Sequence, residues 1–446
     1  MMKQYREYKD TDVEWIGKIP KAWEVKRFGY LFSFGRGLSI TKADLLDEGI
    51  PCVSYGEIHS KYGFEINPLI DELRCVHKKY LETSSQSILK RGDFVFADTS
   101  EDVAGSGNFT CLNSDATVFA GYHSIIVRQK DNYNYRYLSY FFDSIVFRSQ
   151  IRSRVSGTKV FSITQSILKE TYVILPPVHA QIAISVFLDN KTKAIDTLII
   201  DKQRLIDLLK ERRQAIISEV VTKGLENNGN KKDSGIAWIG EIPETWNVSR
   251  FSFEAWVRAR LGWKGLKAEE YTDDGYVFLS TPNIKSNEID FENVNYISKE
   301  RYNESPEIMV KAGDVLLAKD GSTLGTVNVV RLLPREATVN SSIAVISPYK
   351  RILSTYLMYF IKSNYMEQII KTLKGGMGVP HLFQEDINKM KLLLPPLEEQ
   401  ERIIEYLDLK TLEIDALVSD VHTQIERLVE YRQSIISEVV TGKVAI

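Results

Sequence analysis

Two long stretches of this chain carry apolar residues at helical spacing, and the second is a copy of the first. Leu188, Ile195, Leu198, Leu205, Leu209 and Ile216 are separated by threes, fours and their sums, which lines one apolar seam along a helix. Leu407, Ile414, Leu417, Leu428 and Ile435 repeat the seam, with Gln424 standing where a leucine is expected. Matching positions lie 219 residues apart, as in Leu175 and Leu394, Asp189 and Asp408, and Thr222 and Thr441. Each copy opens on Leu-Pro-Pro, and Pro177 and Pro396 sit where a helix start has an N–H to spare. Gly224 and Gly442 follow the last periodic residues as stop signals. A helix from Val178 to Thr222 is roughly 65 Å long, more than a compact module can cover. The two stripes are therefore expected to face each other, antiparallel because a globular stretch separates them.

That globular stretch is also duplicated. Before each copy stands a short signature, Trp15-Ile16-Gly17-Lys18-Ile19-Pro20 with Trp23, and Trp238-Ile239-Gly240-Glu241-Ile242-Pro243 with Trp246. The prolines and paired tryptophans read as an extended arm held by aromatic burial. Within the modules, Gly49–Tyr55 aligns with Gly275–Thr281, and Arg91–Ala97 with Ala312–Ala318; a Gly-Asp turn precedes an apolar strand in both of the latter. Further strands are expected at Tyr122–Val127 and Ser342–Ile346, and one helix in each module at Tyr137–Ile151 and Tyr356–Ile370. The fold class is α+β, with two mixed α/β modules joined by two long helices that pair as an antiparallel coiled coil. The expected boundaries are an arm at 1–23, a module at 24–174, a spacer helix at 175–224, a linker and second arm at 225–246, a module at 247–393 and a second spacer helix at 394–446.

Composition narrows the function by exclusion. The chain has 446 residues and a formal net charge of −2, so a nucleic-acid surface must be a local patch and not a global field. Three cysteines form no even disulfide framework and fit a reducing cytosol. The polar N-terminus lacks a signal-peptide core, and no apolar run of about 18 residues implies a membrane span, so a cytoplasmic location is expected. There is no phosphate-binding loop of the Walker type and no metalloprotease helix motif. The six histidines are scattered, and Cys75-Val76-His77 is too short and isolated for zinc. Phe34-Gly35-Arg36-Gly37 lacks the βαβ setting of a cofactor loop, and Glu24-Val25-Lys26 lacks the partner a nuclease centre needs. The sequence argues against catalysis by this chain alone.

Binding is better supported. Two matching segments carry bases and no acids: Lys26, Arg27, Arg36 and Lys42, then Arg258, Arg260, Lys264 and Lys267. A second basic run, Arg148, Arg152, Arg154 and Lys159, has a weaker counterpart in Lys362, Lys371 and Lys374. Basic side chains in glycine-rich loops suit phosphate contacts, because small residues let the backbone approach a polyanion. The loops after the matched strands differ: Asp98-Thr99-Ser100-Glu101-Asp102 in one module, Lys319-Asp320-Gly321-Ser322 in the other. Ser156–Lys159 and the Lys374–Gly378 loop, with Gly376, differ likewise. Unlike loops on one scaffold suggest two heads with different targets. Candidates for reading bases are Tyr55, Glu57, Thr99 and Ser100 in the first head, and Asn283, Lys285, Lys319, Asp320, Ser322 and His381 in the second.

Taken together, the two Trp-Ile-Gly-x-Ile-Pro arms, the two unlike modules and the two Leu-Pro-Pro helices ending Arg-Gln-x-Ile-Ile-Ser-Glu-Val-Val-Thr resemble the specificity subunit of a type I restriction–modification system. The segment Leu394–Ile403 carries the family pattern closely, whereas His179-Ala180 replaces Glu398-Glu399 in the first copy. The resemblance implies target-recognition modules that each read half of an interrupted double-stranded DNA target. It also implies paired helices that act as a ruler and dock two DNA methyltransferase subunits. Restriction subunits would join them. The chain itself would hold no cofactor and no metal, with S-adenosylmethionine, ATP and Mg on the partners. Two other readings stay open at this point: a specificity partner of a fused type II-like restriction and methylation enzyme, or a repeat scaffold that binds proteins.

Overall fold

The apolar seams form two helices, Val178–Lys223 and Leu397–Val440, of 46 and 44 residues. The structure is a computed structural model that describes residues 4–13, 16–157, 159–226, 229–260, 266–373 and 381–446. The chain divides into two compact units, one of residues 1–202 with 423–446 and the other of residues 203–422. Each long helix therefore gives its start to one unit and its end to the other.

In the first unit, five strands run in the order Phe32–Arg36, Ser124–Gln129, Phe94–Ala97, Phe109–Leu112, Phe64–Ile66, parallel only at the last pair. A second sheet orders Cys75–Val76, Ile50–Val53, Val118–Ala120 and Ile88–Leu89. The second unit repeats the frame with Ala255–Arg258, Ile343–Pro348, Val315–Ala318 and Val327–Val329, beside Asn295–Ile297, Tyr276–Leu279 and Ala337–Val339. The Gly-Asp turns take the form the sequence suggests. Gly92 and Gly313 adopt φ of 83° and 90°, which a side chain would oppose. Asp93 and Asp314 then accept from the backbone N–H of Lys90 and Lys311, each at 2.8 Å.

The single helix expected in each module is two. Ser144 is extended, and its hydroxyl accepts from the Phe147 N–H, ending Tyr135–Asp143 and starting Ile145–Arg152. Ser363 does the same between Ser354–Ile361 and Asn364–Leu373. Each serine also donates to the carbonyl three residues back, Phe141 or Phe360, at 2.6 Å. The break turns the second helix back onto the sheet, and apolar spacing alone carries no trace of it.

The cores share positions but only part of their residues. In the first unit Phe142 is fully buried and meets Phe147 at 4.7 Å, Phe94 at 4.9 Å and Phe28 at 5.3 Å between ring centroids. The second unit fills the matching space with Val315, Leu317, Ile346 and Ile361.

Each core is closed by the end of the other copy's helix. Ile435, Ile436, Val439 and Val440 lie in the first unit's core, and Ile217, Val220 and Val221 in the second's. Burying each such side chain stabilises by roughly 2 kcal/mol. The polar contacts repeat with it. Tyr137 donates to the carbonyls of Ile174 at 2.9 Å and Val440 at 3.2 Å; Tyr356 donates to Leu393 at 3.2 Å and Val221 at 3.5 Å. Helix starts stay with their own modules, where Tyr140 and Tyr359 donate to Asp189 at 2.7 Å and Asp408 at 2.6 Å.

The helices pair antiparallel within each unit. In the first, Arg432 meets Asp196 at 2.9 Å and Lys202 donates to Gln424 at 2.5 Å; in the second, Arg213 meets Asp415 at 3.0 Å. Gln424, the gap in the expected seam, is thus a polar partner. The seam itself needs correction. Leu198 and Leu205 are each 44% exposed and Leu417 is 51% exposed, while Ile206 and Val421 are buried. Two paired helices share one narrow seam, and a step of three residues past Ile195 or Ile414 falls about 60° short of a full turn. The arm is corrected too: Trp23 and Trp246 are buried, but Trp238 is 71% exposed. Trp15 lies outside the described residues.

Phe142→Ala removes the ring on which seven phenylalanines converge. It should cost about 3–5 kcal/mol, read as lost amide-exchange protection across 94–147 with the second unit unaffected. Equal loss in both units would show that the cores do not melt separately.

Candidate nucleic-acid interface

The central strands of the first unit end in loops that border two clefts. The Phe34–Gly37 stretch passes so close to Gly121 that a Cβ on Gly37 would lie 1.8 Å from the Gly121 carbonyl oxygen. That close crossing explains the glycine, and it leaves exposed Arg36 on the rim of a cleft of about 750 Å³. Ser39, Thr99, Tyr122, His123 and Gln165 also line it. A second cleft of about 630 Å³ is lined by Tyr55, His59, Thr99, Ser100, Asp102 and His123. The structure thus brings together four of the residues picked from sequence, Arg36, Tyr55, Thr99 and Ser100.

Other choices are spent on the fold. Glu57 accepts from the Ser54 N–H at 2.9 Å in a capping box, and burial pushes its carboxyl above the usual range, so one of its oxygens is committed to the helix start. Arg148 is held by Asn108 at 2.5 Å and Asp143 at 3.0 Å. Arg152 donates to the Ala104 carbonyl, and Arg154 to the Gln150 carbonyl at 2.6 Å. The three arginines of the second basic run therefore brace a helix end. Lys42 and Lys159 are exposed, and Lys26 is exposed but paired with Glu24 at 2.8 Å.

The second unit shows the same division. Asn283 is buried, accepts from the Ser280 N–H at 2.8 Å and donates to the Asn293 carbonyl at 2.8 Å, which commits it to a turn. Arg258 is buried against Asp314 at 2.9 Å and is a core clamp; Arg128 holds Asp93 at 2.9 Å in the first unit. Lys319 is buried with its ammonium 3.2 Å from Asp320. Asp320 also takes the His381 imidazole, which packs on the exposed Phe383 ring at 4.4 Å between centroids. Lys285 is half-exposed, 3.8 Å from Asp290. Arg260 is partly buried just past its strand, and Lys267 is exposed. Ser322 is exposed on a cleft of about 550 Å³ that it shares with Arg213, Ser286, Lys362 and Glu367. Lys264, Lys374 and Gly376 lie outside the described residues.

Sequence reading missed His123 and Asp98. The imidazole Nδ1 of His123 lies 3.1 Å from the Asp98 carboxylate, and the Asp98 N–H donates to the His123 carbonyl at 3.1 Å. His123 has φ of 53°, unusual for a side-chain-bearing residue, and a backbone property of that kind leaves little mark in sequence. Among the described residues no group of three or more His, Cys, Asp or Glu is placed to hold a metal ion. No helix among them is long and apolar enough to cross a membrane.

Residues 20–207 and 262–427 match the family of type I restriction modification DNA specificity domains. The chain belongs to that family. Similar relatives include the type I restriction enzyme MjaVIII specificity subunit of Methanocaldococcus jannaschii, 22% identical over all of this chain and 98% of the relative. The EcoKI specificity subunit of Escherichia coli is 21% identical over 96% of this chain and 90% of its own length. Among solved structures, the HsdS subunit from Thermoanaerobacter tengcongensis aligns over 96% of this chain and 98% of its own, at 17% identity and a TM-score of 0.54. A chain from work on complex assembly and conformational transition of the type I R-M system aligns over 95% and 98%, at 17% identity and a TM-score of 0.71. Both likenesses place the specificity-subunit fold.

Within this fold the Lys362 cation is under strain. Burial, helped by the positive charges of Arg213 and Arg331, draws the Lys362 ammonium down to about 8 from 10.5. The unfolded chain then binds more protons between those values, so stability rises with pH across that window. The cost is fully present below about pH 8. Lys362→Met should be more stable than the parent at pH 7, with the gap in melting temperature closing toward pH 10. A gap that is constant with pH would show that the ammonium carries no such cost.

Proposed function

We propose that the chain is the non-catalytic DNA-specificity subunit of a type I restriction–modification complex, and that each module reads one half of an interrupted duplex target. The observation that carries this reading is a pair of modules on one repeated frame whose clefts carry unlike side chains. The first presents Arg36, Tyr55, Thr99 and His123; the second presents Ser322, and Asp320, paired with His381, stands just before it on the same loop. Such a chain suits a two-part, asymmetric ligand. Its net charge of −2 restricts phosphate contacts to exposed bases such as Arg36, Lys42, Lys159 and Lys267.

The paired helices would set the spacing between half-sites and seat two methyltransferase subunits. The exposed apolar residues support the second role. Leu198 and Leu417 occupy equivalent positions and face outward, with Ile182, Val186 and Ile200 on one helix and Leu409 and Leu412 on the other. Apolar residues left on the outside of a helix pair invite a further helix. Adenine methylation and its S-adenosylmethionine would belong to those subunits. ATP- and Mg-dependent translocation and cleavage would belong to restriction subunits.

Mapping adenine methylation across the genome of cells with and without this chain tests the reading. A two-part motif with a fixed gap, lost on deletion, is the expected result. An unchanged map in cells that contain the partner methyltransferase would overturn it.

A further inference from the structure

The two units contain one chemical device built twice from different positions. In the first unit the Asp98 carboxylate takes the His123 imidazole; in the second, the Asp320 carboxylate takes the His381 imidazole. The histidines are not repeat equivalents. In both units the residue after the central strand takes two matching backbone bonds. Asp98 donates to the His123 carbonyl at 3.1 Å and accepts from Ile163 at 2.8 Å, and Lys319 donates to Ser342 at 2.8 Å and accepts from Leu382 at 2.9 Å. By that frame His123 corresponds to Ser342, and His381 to Ser162. Duplication alone does not place the same pair at two sites. Each carboxylate sits on the loop that follows the same strand, Phe94–Ala97 or Val315–Ala318.

The pairs fix what each ring can do. A carboxylate only accepts, so Nδ1 must carry the proton facing it, and in the neutral ring Nε2 is then an acceptor. Among the described residues neither Nε2 has a hydrogen-bond partner. His59 gives the contrast: its Nε2 meets the Thr99 carbonyl at 2.8 Å and its Nδ1 the Asn108 amide at 2.8 Å, so both nitrogens serve the fold. His123 lies on the ridge between the two clefts, its ring edge-on to Tyr55 at 5.4 Å and Tyr122 at 5.9 Å between centroids. His381 is steadied by Phe383.

Resting on the specificity-subunit reading, we propose that His123 and His381 are specificity residues, one per half-site, whose Nε2 accepts a hydrogen bond from the exocyclic amino group of a base. Asp98 and Asp320 are positioning residues that hold the accepting tautomer. In the major groove the donors of that kind are adenine N6 and cytosine N4. An acceptor there selects those bases against guanine and thymine, whose corresponding edges also accept.

The test uses the full chain assembled with its modification subunits and duplexes of the motif that the methylation map yields. Each adenine is replaced in turn by purine and each cytosine by pyrimidin-2-one, which removes one amino group at a time and separates the two donors. The parent should lose about tenfold in affinity at one position of one half-site through His123. His123→Ala should bind the unmodified duplex about tenfold more weakly and lose nothing further at that position, with every other position still read. His381→Ala should do the same in the other half-site. His123→Gln, whose carbonyl can accept, should restore part of the loss. Asp98→Asn, whose amide can donate to Nδ1 and leave Nε2 protonated, should lose the preference with the ring still in place. If His123→Ala keeps the parent's response at every substituted position, the histidine assignment is wrong while the specificity reading stands. If the parent reads no two-part motif, both are wrong.

Discussion

Everything else in this protein depends on a reciprocal closure. Each module is completed by the end of the other repeat's helix, through Ile435, Ile436, Val439 and Val440 on one side and Ile217, Val220 and Val221 on the other. The tyrosines Tyr137 and Tyr356 enforce the exchange, since each donates both to its own module's strand and to the incoming helix. Losing the helix end would open a core and leave each hydroxyl with the strand carbonyl alone. The fold thus ties the two recognition units to one pair of helices, and neither copy of the repeat is complete by itself.

The two seats have kept their geometry while changing their charges. In the first unit Asp143 lies between Arg148 at 3.0 Å and Arg432 at 3.5 Å. The equivalent positions in the second unit hold Lys362, Glu367 and Arg213. Glu367 there pairs with Lys371 at 2.6 Å, which leaves Lys362 and Arg213 as neighbouring cations. The Arg–Asp bond across the helix pair is the same in both units, at 2.9 and 3.0 Å. The pairing of helices is therefore uniform, and the seating of their ends is individual to each module.

The repeat was legible because a constant interval of 219 residues aligns one long helix with the other. Helix extents, Gly-Asp turns and the antiparallel pairing follow from apolar spacing and from proline and glycine at the ends. The exposure of Leu198 and Leu417 did not follow, because spacing shows a stripe and not how wide the partner is. The helix breaks at Ser144 and Ser363 were hidden, since serine caps leave the apolar pattern unbroken. At the site, loop position found Arg36, Tyr55, Thr99 and His381. Residue type alone is a poor guide at Glu57, Asn283 and Arg152, whose polar groups satisfy turns and helix ends. His123 escaped because its role comes from a carboxylate 25 positions away in sequence.

The central claim is that the paired helices set the spacing of two independent readers. Lys202 faces Gln424 near the middle of the pair, so a seven-residue insertion after Lys202 and another after His422 preserve the seam while lengthening both helices by about 10 Å. The methylated motif of that variant is the measurement. The account predicts unchanged half-sites with a gap longer by about three base pairs, at ~3.4 Å per pair. The old gap with both half-sites intact would contradict it.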